Sequence, residues 1–310
     1  RRGAGRDARH PGVRRHRPRA PRQVMKLLAP AKVNLFLTAG ARRGDGLHEI
    51  ESVMQAVSLF DSVTLTPGAD FTVVVDPAGA APEDETNLAA RAARAFASLH
   101  GGAGVAIAIE KRIPTAAGLG GGSADAAATL VGLNKLLDAR VSKKALEKMG
   151  AGIGADVPFC VRGGTAAARG AGENLSVLPC PQAVWWVIGI SGASLSTTDV
   201  YGEFDRLGGG RVDDPYDVAD ALARADVPRL AGALRNDLER AALSMAPQIR
   251  SGRDALGAAG ALGVILAGSG PTWLGLARDE SHAVEIAAAV HHEFARVEVA
   301  HSIDHGPRPV

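Results

Sequence analysis

Pro114-Thr115-Ala116-Ala117-Gly118-Leu119-Gly120-Gly121-Gly122-Ser123-Ala124-Asp125 stands between a predicted strand and a predicted helix. The strand is Val105–Arg112, where apolar and polar residues alternate. The helix shows Ala126, Leu130, Leu133 and Leu137 at helical spacing. Glycines let backbone amides turn toward a ligand with no Cβ in the way. The helix start adds unpaired N–H groups and the positive end of a dipole, which together favour an anion, typically phosphate. A bare connection would need neither four glycines nor Ser123 and Asp125 at the helix start. The loop matches no widespread phosphate fingerprint. A Walker A loop requires a Lys after its glycines, and none follows here. A dinucleotide G-x-G-x-x-G counted from Gly118 and Gly120 reaches Ser123 where the third glycine belongs. The H-R-D and D-F-G signatures of protein kinases are absent.

Outward from the loop, short strand-like and helical segments alternate irregularly. Val33–Thr38, Ser52–Ser58, Ser62–Thr66 and Phe71–Val75 predict strands, each rich in β-branched or apolar residues and bounded by Gly, Pro or Asp. A helix is predicted from Asn87, a good cap, to Leu99, and a shorter one from Ser142. Asp205–Pro215, with three consecutive glycines, predicts a flexible loop. Helices over Val218–Ala225, Leu230–Leu243 and Ile249–Ala258 then precede the strands Gly263–Ala267 and Trp273–Ala277. A helix carrying Ala283, Ala287, Val290 and Phe294 and the strand Val297–His301 follow. This irregular order predicts an α+β protein of two domains, not a doubly wound sheet. The domains are expected at 25–180 and 181–310, after an Arg-rich segment over 1–24.

The chain of 310 residues is 46% hydrophobic and 22% charged, which excludes a coiled coil, a collagen-like chain and a mostly disordered protein. Its net charge of +2 misleads, because residues 1–24 hold nine Arg and one acid. Residues 25–310 carry 26 basic and 32 acidic side chains, so they offer no case for a nucleic-acid surface. Residues 1–24 are expected to be translated upstream sequence or a disordered extension with no function. The two cysteines, Cys160 and Cys180, form no disulfide or zinc pattern, and no apolar run reaches the ~20 residues of a membrane span. A soluble, cytoplasmic protein is expected, with neither membrane nor nucleic-acid partners.

Three further segments can carry chemistry. In Pro30-Ala-Lys32-Val-Asn34-Leu-Phe-Leu, Lys32 and Asn34 share one face of a strand. A cation and an amide there are costly unless they face a cleft or solvent. In Gly152-Ile-Gly154-Ala-Asp156-Val-Pro158-Phe159, Asp156 reads equally as a local cap or turn carboxylate. Leu266-Ala-Gly268-Ser269-Gly270-Pro-Thr272 reads, taken alone, as a turn between two strands.

In combination, the segments at Pro30–Leu37, Pro114–Ala124 and Leu266–Thr272 resemble, in order, the three motifs of the GHMP small-molecule kinases. Gly46-Leu47-His48-Glu49 and Gly154–Phe159 are similar to the branch that phosphorylates a hydroxyl of a cytidine-diphosphate-linked methylerythritol, on the route to isoprenoid precursors. The resemblance covers essentially all of residues 25–310. It implies two α+β domains, ATP with Mg²⁺, and an active site in the cleft between domains. It also implies that Asp156 accepts the hydroxyl proton, that Lys32 orients the hydroxyl, and that residues 114–124 hold the phosphates. Asn87, which also reads as a plain N-cap, matches a position near the adenine. His48 matches the cytosine position, Asn34 the reacting end, Tyr201 one of two stacking aromatics, and Gly172 with Glu173 a place near the substrate. The second stacking position is Leu47, which covers a base face without a ring and puts weaker cytosine binding in play. No residue is assigned to a metal. The rival readings are a kinase of the same family acting on homoserine, mevalonate or a sugar, and a binding protein that kept the fold without catalysis.

Overall fold

A computed structural model describes residues 24–101 and 104–310. The expectation for the Arg-rich segment therefore lies, apart from Val24, outside the described residues. The chain opens with a long hairpin, β1 (Met25–Arg42) and β2 (His48–Pro67), followed by β3 (Thr72–Asp76), α1 (Leu88–His100), β4 (Val105–Glu110) and α2 (Gly121–Leu136). Next come α3 (Lys143–Ala151), α4 (Val157–Arg162), β5 (Thr165–Gly170) and β6 (Asn174–Val177). The chain then passes to β7 (Trp185–Ile190), α5 (Thr197–Arg206), α6 (Tyr216–Ala223), α7 (Val227–Ala233), β8 (Arg235–Asn236) and α8 (Glu239–Met245). It closes with α9 (Arg250–Ala258), β9 (Gly263–Leu266), β10 (Trp273–Ala277), α10 (Glu280–Val290), β11 (Arg296–His301) and β12 (Arg308–Pro309).

Two sheets organise these elements. The first runs β12-β1-β2-β4-β3, with β5 and β6 continuing from β2 and the short β8 parallel to β1. The second is antiparallel, in the order β11-β7-β10-β9. α1 and α2 pack on one another, and α2 lies on β1 and β2 so closely at Gly132 that a Cβ there would meet Leu27 and Leu65. Glycine at that position lets the helix come close to the sheet. The mixture of helices and antiparallel strands is the α+β arrangement expected. Among the described residues, no helix is long and apolar enough to cross a membrane.

Several local expectations need correction. The two strands predicted on either side of Phe60 are one strand, β2. Asp61, which reads as a breaker, is fully buried and accepts from the backbone N–H groups of Arg112 and Ile113 at 2.6 and 2.8 Å. The helix predicted over Leu230–Leu243 is two helices, α7 and α8, split by β8. The residue that breaks it is Asn236, whose amide donates to the carbonyls of Leu266 and Gly268 and accepts from Leu238 N–H. Leu137, placed on the inner face of α2, is exposed just past its end, and the last helix stops at Val290, before Phe294. β5, β6, α4 and α5 are elements that the sequence pattern alone does not reveal.

Candidate active site

Lys32 is on β1, 5% exposed among aliphatic neighbours. Its ammonium donates to Asn34 Oδ1 at 2.7 Å and lies 3.4 Å from Asp156 Oδ2. Asn34 is held in turn: its Nδ2 donates to Ser52 Oγ at 2.9 Å, and that hydroxyl donates to the Phe36 carbonyl at 2.7 Å. The two-residue spacing on a strand thus puts cation and amide side by side, while a bulge in the β1–β2 pairing between Asn34 and Phe36 opens room for both. Asp156 begins α4, yet its side chain makes no cap hydrogen bond. That leaves the carboxylate, 29% exposed, to face Lys32. A buried ammonium is tolerable only with such partners.

The glycine loop closes over this pair. Lys32 N–H donates to the Leu119 carbonyl at 3.0 Å. Gly118 and Gly120 take left-handed φ of 76° and 70°, and Gly120 forms the entry to α2. A Cβ at Gly120 would lie 2.9 Å from Lys32 Cγ, and one at Gly118 would collide with the Ala267 carbonyl. The loop therefore depends on glycine twice, for backbone conformation and for close approach. The third motif, read alone as a turn, belongs here too: a Cβ at Gly268 would stand 3.4 Å from Lys32 Nζ and 3.5 Å from Asn34 Oδ1. Ser123 Oγ, half-buried at the start of α2, faces Gly154 two residues before Asp156.

Beneath the loop is a buried ion cluster that sequence reading missed. Lys111 Nζ lies 2.5 Å from Asp61 Oδ2 and 2.8 Å from Asp125 Oδ2. Lys111 precedes the loop and Asp125 follows it, so the cluster joins both ends of the loop to β2. Burial alone would lower the Lys111 pKa, but the two carboxylates outweigh it and hold it above its usual value. Burial pushes Asp125 up to about 7 against the pull of Lys111, with the Asp61 charge adding to the rise. Among the described residues Asp125 Oδ1 has no hydrogen-bond partner. Asp125 was legible at the helix start, but its convergence with Asp61 and Lys111 from three elements was not.

The remaining candidates form a second group around His48. Its imidazole is buried, stacks on Tyr201 with centroids 4.7 Å apart and planes 25° apart, and meets Asp205 Oδ1 through Nε2 at 2.8 Å. Burial, and after it the charge of Asp156, raises the Tyr201 pKa, so the hydroxyl stays protonated. The sequence predicts a flexible loop from Asp205 onward. Asp205 is instead in the last turn of α5, four residues after Tyr201 and on its face, and that spacing was the available signal. Leu47 is 50% exposed at the hairpin end. Gly172, at φ 111°, stands over the Ala155 carbonyl, and Glu173 accepts from Ala171 N–H. Asn87 is occupied as the cap of α1: Oδ1 accepts from Ala89 N–H at 2.8 Å and Nδ2 donates to the Pro82 carbonyl at 2.6 Å. The next residue, Leu88, approaches Gly122, so this cap adjoins the glycine loop.

The arrangement offers a buried lysine, a partly open carboxylate and an anion-binding helix start within one small region, which suits transfer of a charged group to a hydroxyl. Comparison with known proteins agrees. Residues 87–164 match the GHMP kinases N terminal domain and residues 218–296 the GHMP kinases C terminal domain. The 4-diphosphocytidyl-2-C-methyl-D-erythritol kinase of Streptomyces coelicolor is 46% identical over 84% of this chain and 90% of its own. A crystal structure of 4-(cytidine 5'-diphospho)-2C-methyl-D-erythritol kinase superimposes with a TM-score of 0.76 at 36% identity, covering 90% of this chain and 99% of that one. Homoserine kinase from Cytophaga hutchinsonii shares the fold, at a TM-score of 0.73 and 22% identity over 94% of this chain and 99% of its own. The chain belongs to the GHMP kinases, in the family of 4-diphosphocytidyl-2-C-methyl-D-erythritol kinases, and is an ATP-dependent small-molecule kinase.

Proposed function

We propose that the protein transfers the γ-phosphoryl group of ATP to the 2-hydroxyl of 4-diphosphocytidyl-2-C-methyl-D-erythritol, giving the 2-phosphate, in the methylerythritol phosphate pathway to isoprenoid precursors. The observation that carries this reading is the Lys32–Asp156 pair set against the glycine loop, in a chain 46% identical to an enzyme of that name. Phosphoryl transfer asks a protein chiefly to align the acceptor oxygen with the γ-phosphate and to neutralise charge. In this reading the backbone amides of Gly118–Gly122 and the start of α2 take the phosphates. Asp156 accepts the hydrogen of the acceptor hydroxyl and so orients its lone pair. Lys32, fixed by Asn34, stabilises the oxygen as negative charge develops on it. His48 and Tyr201 take the cytosine, with Leu47 at its other face. Gly172 borders the substrate and Asn87 the adenine. The nucleotide-binding unit is residues 25–180, and residues 181–310 supply the other wall of the cleft.

Mg²⁺ is part of this reading. Among the described residues no three His, Cys, Asp or Glu side chains converge as a cation cage. The donor set therefore fits an ion that arrives with nucleotide phosphates and keeps several waters. Ser123 and Asp156 would be the side chains to add ligands. Bound there, the ion would neutralise charge on the β- and γ-phosphates. The test is to incubate the protein with Mg²⁺, ATP and the cytidylated alcohol and to locate the new phosphate by ³¹P NMR. A phosphomonoester coupled to the carbon at position 2 is expected, and phosphate at another hydroxyl would refute the assignment.

A further inference from the structure

His48 is gripped by one helix. Tyr201, Phe204 and Asp205 all lie on α5, with Tyr201 and Asp205 one turn apart. The Tyr201 stack fixes the plane of the imidazole, and Phe204 meets it edge-on with centroids 6.2 Å apart. The 2.8 Å contact between Nε2 and Asp205 Oδ1 fixes the rotation of the ring within that plane. A carboxylate oxygen only accepts, so Nε2 carries the hydrogen. In the neutral ring Nδ1 is then the lone-pair nitrogen. Among the described residues no hydrogen bond occupies that nitrogen, whereas those of His291, His301 and His305 are taken by backbone carbonyls.

We propose that Asp205 sets pyrimidine specificity: by keeping the hydrogen on Nε2 it presents His48 Nδ1 as an acceptor, matched to the amino group of cytosine and mismatched to the carbonyl of uracil. The inference rests on the cytidine-bearing substrate of the proposed function. Cytosine carries a donor at C4, and uracil carries an oxygen that only accepts. An acceptor facing an acceptor in a desolvated pocket leaves both unpaired, which is where the strongest discrimination between close analogues arises. Asp205 touches no substrate in this arrangement. It is a positioning residue that acts through His48. Its side chain is 44% exposed, so it can be replaced without opening a core.

The experiment compares the full-length wild type with Asp205→Ala and Asp205→Asn. Each is given ATP and either 4-diphosphocytidyl-2-C-methyl-D-erythritol or its uridine analogue. The wild type is expected to favour the cytidine substrate in kcat/KM. In Asp205→Ala that preference falls on the order of 10-fold, the loss of one charge-assisted hydrogen bond, while KM for ATP is unaltered. Asp205→Asn, whose carbonyl oxygen still accepts from Nε2–H, restores most of it. The ¹⁵N shifts of the His48 ring give a readout independent of turnover. A single tautomer with bare Nδ1 is expected in the wild type, and a mixture in Asp205→Ala. An undiminished cytidine preference in Asp205→Ala, or an unchanged single tautomer there, overturns the role of Asp205 and leaves the substrate assignment standing. A wild type inactive on the cytidine substrate overturns the substrate assignment and this inference with it.

Discussion

Lys32 is 5% exposed on a strand of aliphatic residues, and Asn34 and Asp156 are the polar partners that its buried ammonium meets. In the proposed reaction the same contacts would aim it at the reacting oxygen, so stability and catalysis would make one demand of these three side chains. Asp156→Asn keeps the shape of the pair and removes its ability to accept a proton. Turnover is expected to fall by about 10²-fold or more with an unchanged far-UV spectrum. Lys32→Ala is expected to fall at least as far. Near-normal turnover in either variant would contradict the roles assigned. Gly120→Ala tests the loop rather than the chemistry. A Cβ there would meet Lys32 Cγ at 2.9 Å from a backbone already at φ 70°, so the variant should lose about 1–3 kcal/mol in a denaturant titration and bind ATP more weakly. An unchanged KM for ATP would show that the loop tolerates displacement.

Helix α2 depends on more than its glycine start, because Lys111 ties Asp125 in its first turn to Asp61 on β2. With a folded pKa of about 7 against an unfolded value near 3.9, Asp125 makes the folded state the better proton binder between those limits. Its contribution is therefore greatest at low pH, and it is lost as pH rises from about 4 through 7. Melting temperatures at pH 5 and pH 8 should differ less in Asp125→Asn than in the wild type, and an equal difference would exclude Asp125 as the titrating group. Asn236, between α7 and α8, holds the turn that borders Lys32 through the carbonyls of Leu266 and Gly268. Asn236→Ala should lower both stability, by about 1–3 kcal/mol, and kcat/KM. A loss of stability alone would separate that turn from the reaction. These supports were not legible in the sequence. The glycine loop, the Lys32–Asn34 pair and the helices α1, α2 and α9 could be read because their signals are local: a cap, a period, a two-residue spacing. Asp61, Lys111, Asn236 and Asp205 look like breakers or surface charges until strands distant in sequence come together around them. The helix predicted over Leu230–Leu243 failed for the same reason. Its apolar spacing is sound, but a buried amide in the middle bonds to another strand instead.

At the scale of the molecule, the motifs come from opposite ends of the chain and meet at Lys32. The convergence of Leu119, Gly120, Asp156 and Gly268 on one lysine is what the two sheets and their connections jointly provide. β8 and β12 carry the later half of the chain back to β1, so the strand that holds Lys32 is braced by segments far downstream, at residues 235–236 and 308–309. A fold shared with a homoserine kinase does not by itself fix the substrate, and in the proposed function that choice falls to the His48 group. The measurement that tests the account most directly is ADP release by the full chain with Mg²⁺ and ATP, given 4-diphosphocytidyl-2-C-methyl-D-erythritol, homoserine or mevalonate in separate reactions. Release with the cytidylated alcohol and background rates with the other two is the predicted result. Background release with the cytidylated alcohol, beside turnover of either of the others, would contradict it.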